Sequence, residues 1–328
     1  MCAANRSILP GPGRAREHSA LRAPTGDRKR PLGSRVSSSV SRQAGRLILT
    51  FYHVITFASS VFLISIPQKE SVAHFLEAKM IKVIFDNAFY EIYDSDPAAE
   101  AGRMESIVRV IAGDVQFVPA EAASEGQITA VHTEAHIGDV RREGLYEIAS
   151  LAAGATIQAA EIGLSEPCMA LVRPPGHHAS ADSAWGFCHF NNIAIALRHL
   201  RDQNKIGSAL VLDIDLHFGD GTVNILEKQS WVTIENPCAR NRADYLRAVE
   251  RRLAETPCDI IGISAGFDHH LEDWGRLLAT EDYEQIGRMA AEAALGHGGG
   301  CFAVLEGGYN HKVLGRNVRS LLNGMRRT

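Results

Sequence analysis

Residues 209–222 read ALVLDIDLHFGDGT. The stretch opens as an apolar run of strand length, and charge enters only toward its end, where Asp213, Asp215, His217 and Asp220 follow in close succession. An apolar run of four to eight residues suits a strand covered on both faces, as in a parallel sheet. Open parallel sheets bind ligands beyond the carboxyl ends of their strands, which is where these four polar side chains fall.

The rest of the chain repeats the pattern. Short apolar runs predict strands at 81–85, 168–173, 209–216, 259–264 and 301–305, and three- and four-residue spacing of Ala, Leu and Ile predicts helices at 100–112, 141–162, 191–204, 242–255, 281–295 and 313–325. Strand and helix alternate, so residues 80–328 are expected to form one domain, a doubly wound parallel α/β sheet with helices on both faces. Four predicted strands run into polar segments: 168–173 into His177 and His178, 209–216 into His217 and Asp220, 259–264 into Asp268, and 301–305 into Gly307, Gly308 and Tyr309. Strand ends far apart in sequence thus converge on one rim, the expected active site.

Composition narrows the function classes. The chain has 328 residues, 45% hydrophobic and 22% charged, with a net charge of -4, which leaves no basic footprint for nucleic acid. Six cysteines without a C-x-x-C pair suggest neither a thiolate metal site nor a disulfide framework, and a reducing cytoplasm fits. The first 46 residues differ in kind. They carry ten Lys and Arg against Glu17 and Asp27, with a Ser-, Pro- and Gly-rich composition expected to be disordered. An uncharged apolar run follows at 47–67, long enough for a membrane anchor. Met80 stands directly before the regular α/β pattern, so residues 1–79 are expected to be an extension upstream of the natural start, with membrane attachment only if the 47–67 run is real.

The rim residues suggest metal chemistry. In extended chain, residues two apart face the same side, so Asp215 and His217 point together; Asp268 is the best third donor for an open zinc site that leaves a position for water or a substrate oxygen. For one such aspartate alone, capping a turn is the ordinary role. Asp213 would crowd that cation and needs another partner. With Asp220 it offers carboxylates to His177 and His178, making two His–Asp pairs of the kind that perform acid–base catalysis. The Tyr309 hydroxyl, after two glycines, could stabilise an oxyanion.

Together, RPPGHHA at 173–179, GFCHFNN at 186–192, DIDLHFGDGT at 213–222, SAGFDHH at 264–270 and LEGGY at 305–309 resemble the histone deacetylase superfamily, which includes acetylpolyamine amidohydrolases and acetoin-utilisation proteins. The resemblance implies an arginase/deacetylase-like fold and a zinc-dependent amidohydrolase acting on an acetylated small amine or an acetyl-lysine protein. It implies one zinc on Asp215, His217 and Asp268, His178 as general base, His177 as its electrostatic partner and Tyr309 as the transition-state tyrosine. Asp213 then stands behind His177, with a potassium ion near it, Asp220 behind His178, and Gly186 and Phe187 form a tunnel wall.

This sequence departs from the pattern at three places. Phe218 stands where a second histidine is usual, His189 follows the cysteine, and the span between Gly221 and Ser264 is short. The last departure removes the loop that carries the opposite aromatic wall, so a more open pocket is expected. An arginase-like binuclear manganese ureohydrolase is the nearest rival, but it wants D-x-H-x-D where position 219 is glycine, and a D-x-D where Asp268 is followed by His269. A catalytically idle module that binds acetylated amines is the other alternative. His132, His136 and His297 are expected in structural or capping roles, His269 and His270 on a loop surface, and Asp94 and Asp96 in a solvated turn near the entrance.

Overall fold

A computed structural model describes residues 80–326; the basic segment 1–46 and the apolar run 47–67 lie outside the described residues. Strands β1 (Ile81–Phe85), β2 (Val115–Pro119), β3 (Cys168–Ala170), β4 (Ala209–Asp213), β5 (Val232–Glu235), β6 (Ile260–Ala265) and β7 (Gly300–Leu305) form one seven-stranded sheet in the order β2-β1-β3-β7-β6-β4-β5. Every pairing is parallel. The four strands expected to carry the site, β3, β7, β6 and β4, are consecutive neighbours at its centre and buried at every residue. Their registers pair Ala170 with Val304, Asp213 with Ser264 and Ala265 with Leu305, so the carboxyl ends lie level.

The two edge strands were not expected. In β2 only Val115 is buried, and β5 is half-buried throughout, so neither shows the continuous apolar run that marks a central strand. Two central strands end earlier than expected. β3 stops after Ala170, and the chain then meets Pro174 and Pro175, which have no N–H to give a ladder. β4 stops at Asp213, where side chains replace the ladder: Asp213 Oδ1 accepts the Asp215 N–H (3.1 Å), Asp215 Oδ1 the His217 N–H (2.9 Å), and Asp268 Oδ1 the Leu216 N–H (2.9 Å).

The helices are α1 (Arg103–Ile111), α2 (Glu125–Thr129), α3 (Glu134–Arg142), α4 (Tyr146–Gly163), α5 (Asn192–Asp202), α6 (Asp220–Leu226), α7 (Arg242–Glu255), α8 (Thr280–Gly296) and α9 (His311–Met325). The expected helix 141–162 takes in the last two residues of α3 and then α4, the two divided at Gly144, whose φ of 76° belongs to the left-handed region that glycine tolerates. α1, α9, α8 and α7 pack in succession, with α8 on β6 and β7; α4 lies on β1, β3 and β7 and packs with α5. Among the described residues no helix is long and apolar enough to cross a membrane.

Candidate active site

Asp215, His217 and Asp268 come together where β4 and β6 end, with one donor atom from each within 4.8 Å of the others. The pleat does not align Asp215 with His217, because both lie past the strand; the side-chain hydrogen bonds just described do. His217 Nδ1 stands 3.1 Å from Asp215 Oδ1 and 3.1 Å from Asp268 Oδ2. The second approach lacks hydrogen-bond alignment, which leaves Asp268 Oδ2 buried without a hydrogen-bond partner.

The electrostatics suit a bound cation. Burial, and then the charge of Asp215, push the Asp268 carboxyl up to about 7. The hydrogen bond to Asp215 and the nearby Asp268 carboxylate raise His217 to about 10 against the cost of its own burial. Without a cation one proton must sit among these groups. Two carboxylates and an imidazole with a buried, unpartnered oxygen are the donor chemistry of a divalent site with an open position. The backbone approaches closely to make room: a Cβ at Gly266 would fall 2.1 Å from Asp215 Oδ2, and one at Gly307 2.5 Å from it.

The paired histidines meet separate carboxylates. His177 Nδ1 donates to Asp213 Oδ2 at 3.0 Å, and His178 Nδ1 to Asp220 Oδ1 at 2.7 Å. Burial presses the His177 ring down, but Asp213, Asp215 and Glu306 raise it well above the ordinary imidazole value. His178 goes the other way. Burial lowers it, Asp220 restores part, and the neighbouring His177 lowers it again, so it falls below 6.5. Near neutrality one ring is charged and the other is a free base, with Nε2 as its open nitrogen. Gly219 explains how Asp213 reaches His177: a Cβ there would lie 2.1 Å from Asp213 Oδ2.

Tyr309 follows β7 through Gly308, whose φ is 118°. Its turn is tied down by Asp273 Oδ2, which accepts the N–H groups of Tyr309 (2.9 Å) and Asn310 (2.8 Å), and by the buried Arg103, which donates to Glu306 O (2.6 Å) and Gly308 O (2.9 Å). Burial and the nearby Asp215 and Asp268 raise the Tyr309 phenol well above 10, so it stays a donor. Gly186 and Phe187 take successive φ of 61° and 69°, a conformation that for Phe costs roughly 1–2 kcal/mol. It sets the Phe187 ring edge-on to Tyr309, with centroids 6.0 Å apart.

Two tryptophans that the sequence did not single out complete the mouth. Trp185 lies tilted against His178 with ring centroids 3.9 Å apart and donates from Nε1 to Asp220 Oδ2 at 2.9 Å. Trp274 stacks on Tyr309 at 4.0 Å and stands edge-on to His217 at 6.0 Å. Both remain about half exposed, Trp185 at 55% and Trp274 at 50%. Phe218 is exposed at 59%, in keeping with its exclusion from the ligand set. The short connection after β5 carries Asn236, whose side chain accepts the Gly219 N–H at 2.9 Å.

The remaining polar residues separate cleanly. His132 donates to Ser180 O and accepts the Asn191 N–H, both at 2.9 Å, and His136 reaches His189 O at 2.7 Å; both are structural, as expected. His297 caps α8, and Asp94 and Asp96 accept nearby backbone N–H groups in a turn. His269 and His270 contradict expectation. They are buried, not on the surface: His269 lies edge-on to Tyr245 at 5.1 Å, and His270 Nε2 meets Thr280 Oγ1 at 3.2 Å. Burial lowers His269 to about 4, so it is a neutral core residue.

Fold and site define a class, a parallel α/β sheet that carries a cluster of buried titratable side chains at the carboxyl ends of its strands. The family model for the histone deacetylase domain matches residues 98–237 and 234–325. This chain belongs to that family. It is 30% identical to a probable deacetylase of Methanothermobacter thermautotrophicus over 302 residues, covering 74% of this chain and 90% of that protein. It is 27% identical to the polyamine deacetylase HDAC10 of Danio rerio, covering 72% of this chain and 46% of that longer protein. The crystal structure of the HDA15 HD domain superposes with a TM-score of 0.66 at 23% identity, over 76% of this chain and 91% of that one, a likeness of fold.

Proposed function

We propose that the protein is a zinc-dependent deacetylase that hydrolyses acetylated amines, either acetyl-lysine or acetylpolyamine. The observation that carries this is the gathering of Asp215, His217 and Asp268 beside a carboxylate-backed neutral His178 and a protonated Tyr309 on one rim. Asp215, His217 and Asp268 would hold the zinc, which when bound supplies Lewis-acid polarisation of the acetyl carbonyl and of a water molecule. The chain's own residues do the rest. His178 takes the proton of the attacking water at Nε2 while Asp220 fixes its tautomer through Nδ1. His177, charged, favours the negative charge that develops next to it, and Tyr309 donates its hydroxyl to the carbonyl oxygen as that oxygen becomes an oxyanion. A histidine returns the proton to the departing amine, so acetate and free amine leave.

The sign of the pH dependence follows from His178. A base works when neutral, and the His178 pKa is held below 6.5, so kcat/KM should rise with pH through a limb centred below that value and level off before neutrality. A limb centred above 6.5, measured with an acetyl-lysine peptide, would assign the base elsewhere.

Trp274 replaces the aromatic wall that the short connection after β5 does not provide. Its face covers Tyr309, so Trp274→Ala should raise KM for acetyl-lysine peptides about tenfold by opening the channel, with kcat changed less. Equal KM values in the two proteins would give the wall to another residue. Release of acetate and free amine from acetyl-lysine peptide, acetylputrescine and acetylspermidine tests the activity itself.

A further inference from the structure

We infer that Glu306 is a positioning residue of the catalytic step, its carboxylate holding the backbone of Gly176 and His177 so that the paired histidine rings stand correctly against Asp215, His217 and Asp268. The inference rests on the function proposed above. Residues 174–180 have no regular secondary structure, so their buried N–H groups must find partners outside a ladder. Glu306 Oε2 accepts two of them, from Gly176 at 2.7 Å and from His177 at 3.2 Å. The next, from His178, goes to Cys188 Sγ at 3.4 Å. Successive amides that carry the two catalytic histidines are therefore held by side chains from elsewhere, two of them by one carboxylate oxygen.

Glu306 is an expensive residue to keep here. Its side chain is fully buried, and Arg103 binds its backbone carbonyl and not its carboxylate. Oε1 is buried without a hydrogen-bond partner. A donor atom of Glu306 lies within 4.8 Å of donors on His177 and Cys188, so the carboxyl group faces the His177 ring as well as its backbone. A buried carboxyl group costs stability unless its hydrogen bonds are good.

Its place in the chain gives this carboxylate leverage. Glu306 follows β7 directly, and its N–H donates to Ala265 O at 3.0 Å, continuing the ladder toward β6. The next N–H, from Gly307, donates to Asp215 Oδ2 at 2.8 Å, and Tyr309 is two residues further on. One short turn thus grips Asp215 with its backbone and the histidine loop with its side chain. Base, ligand trio and tyrosine share a common anchor.

Steady-state kinetics of the full chain on an acetyl-lysine peptide, with zinc content measured in parallel, test this. Glu306→Ala should lower kcat about 100-fold, the effect of roughly 1 Å of misplacement, with KM within about twofold and zinc content unchanged. Glu306→Gln retains an oxygen that can accept both N–H groups and should recover kcat to within about tenfold of the parent. In a His178→Ala background, Glu306→Ala should lower the residual turnover by less than about tenfold, because the base is gone and only the His177 ring remains to be misplaced. A Glu306→Ala kcat within about twofold of the parent, or an undiminished loss in the His178→Ala background, would overturn the inference. If Glu306→Ala loses its zinc through misfolding, Glu306→Asp decides: its carboxylate is drawn back by one methylene, and a parental kcat would overturn the inference while a lower one at constant KM would support it. His178→Ala at full activity would instead overturn the proposed function beneath it.

Discussion

His178→Ala is expected to lower kcat for an acetyl-lysine peptide by about 10³-fold, within the range general-base groups contribute, with KM and zinc content nearly unchanged. His178 is the neutral ring of the pair, its Nδ1 is committed to Asp220, and its ring stands 5.9 Å from that of His217. Tyr309→Phe should cost about 10²- to 10³-fold in kcat, as loss of one oxyanion donor does. The phenylalanine keeps the stacking on Trp274, so the loss reports the hydroxyl alone. His177→Ala should be milder than His178→Ala in its pH signature: it removes the positive neighbour that helps lower His178, and the acid limb should move up. Turnover unchanged in His178→Ala or Tyr309→Phe would refute the roles assigned.

Metal removal should be as damaging. Asp268→Asn keeps an oxygen that can accept the Leu216 N–H but removes an anionic donor, so the fold should persist while zinc affinity falls and kcat drops on the order of 10³-fold, about 4 kcal/mol of lost transition-state stabilisation. Chelation of the parent chain should do the same reversibly. It should also lower the melting temperature, because a ligand that binds only the folded state stabilises it by about 4 kcal/mol at a thousand times its Kd. The stability loss has a local cause: without a cation, Asp215 and Asp268 must share a buried site with no more than the His217 and His177 rings to compensate them. Metal analysis and thermal melts before and after chelation measure both effects. A chelated protein with full turnover would rule out the metal.

Central strands and the polar ends of four of them were legible in the sequence, because a strand buried on both faces writes an unbroken apolar run and a strand-end cluster interrupts it. The edges were not. Val115–Pro119 and Val232–Glu235 are half-covered, and their mixed composition looks like loop. Gly144 was legible as a residue but not as the break between α3 and α4, since helical spacing continues on both sides of it. Within the site, Asp213, Asp215, His217, Asp220, Asp268, His177, His178 and Tyr309 could be found because motif spacing carries them.

Glu306, Arg103, Asp273, Trp185 and Trp274 were missed for a common reason. Each acts through a contact the local sequence does not encode: Glu306 reaches Gly176 across 130 residues, and Arg103 reaches Gly308 across 205. Glu306 sits inside the quoted LEGGY motif, yet only its two hydrogen bonds to the histidine loop give it a task. The buried His269 and His270 failed in the opposite sense, because residues after a strand-end ligand look like surface loop until Tyr245 and Thr280 are seen against them.

Acetate release by the full chain as purified, after chelation, and after return of one equivalent of zinc is the most direct measurement. Stoichiometric acetate and free amine from an acetyl-lysine peptide or acetylputrescine, lost on chelation and restored by zinc, is the predicted result. No acetate from any acetylated amine at one zinc per chain, or activity that requires a pair of manganese ions, would contradict it.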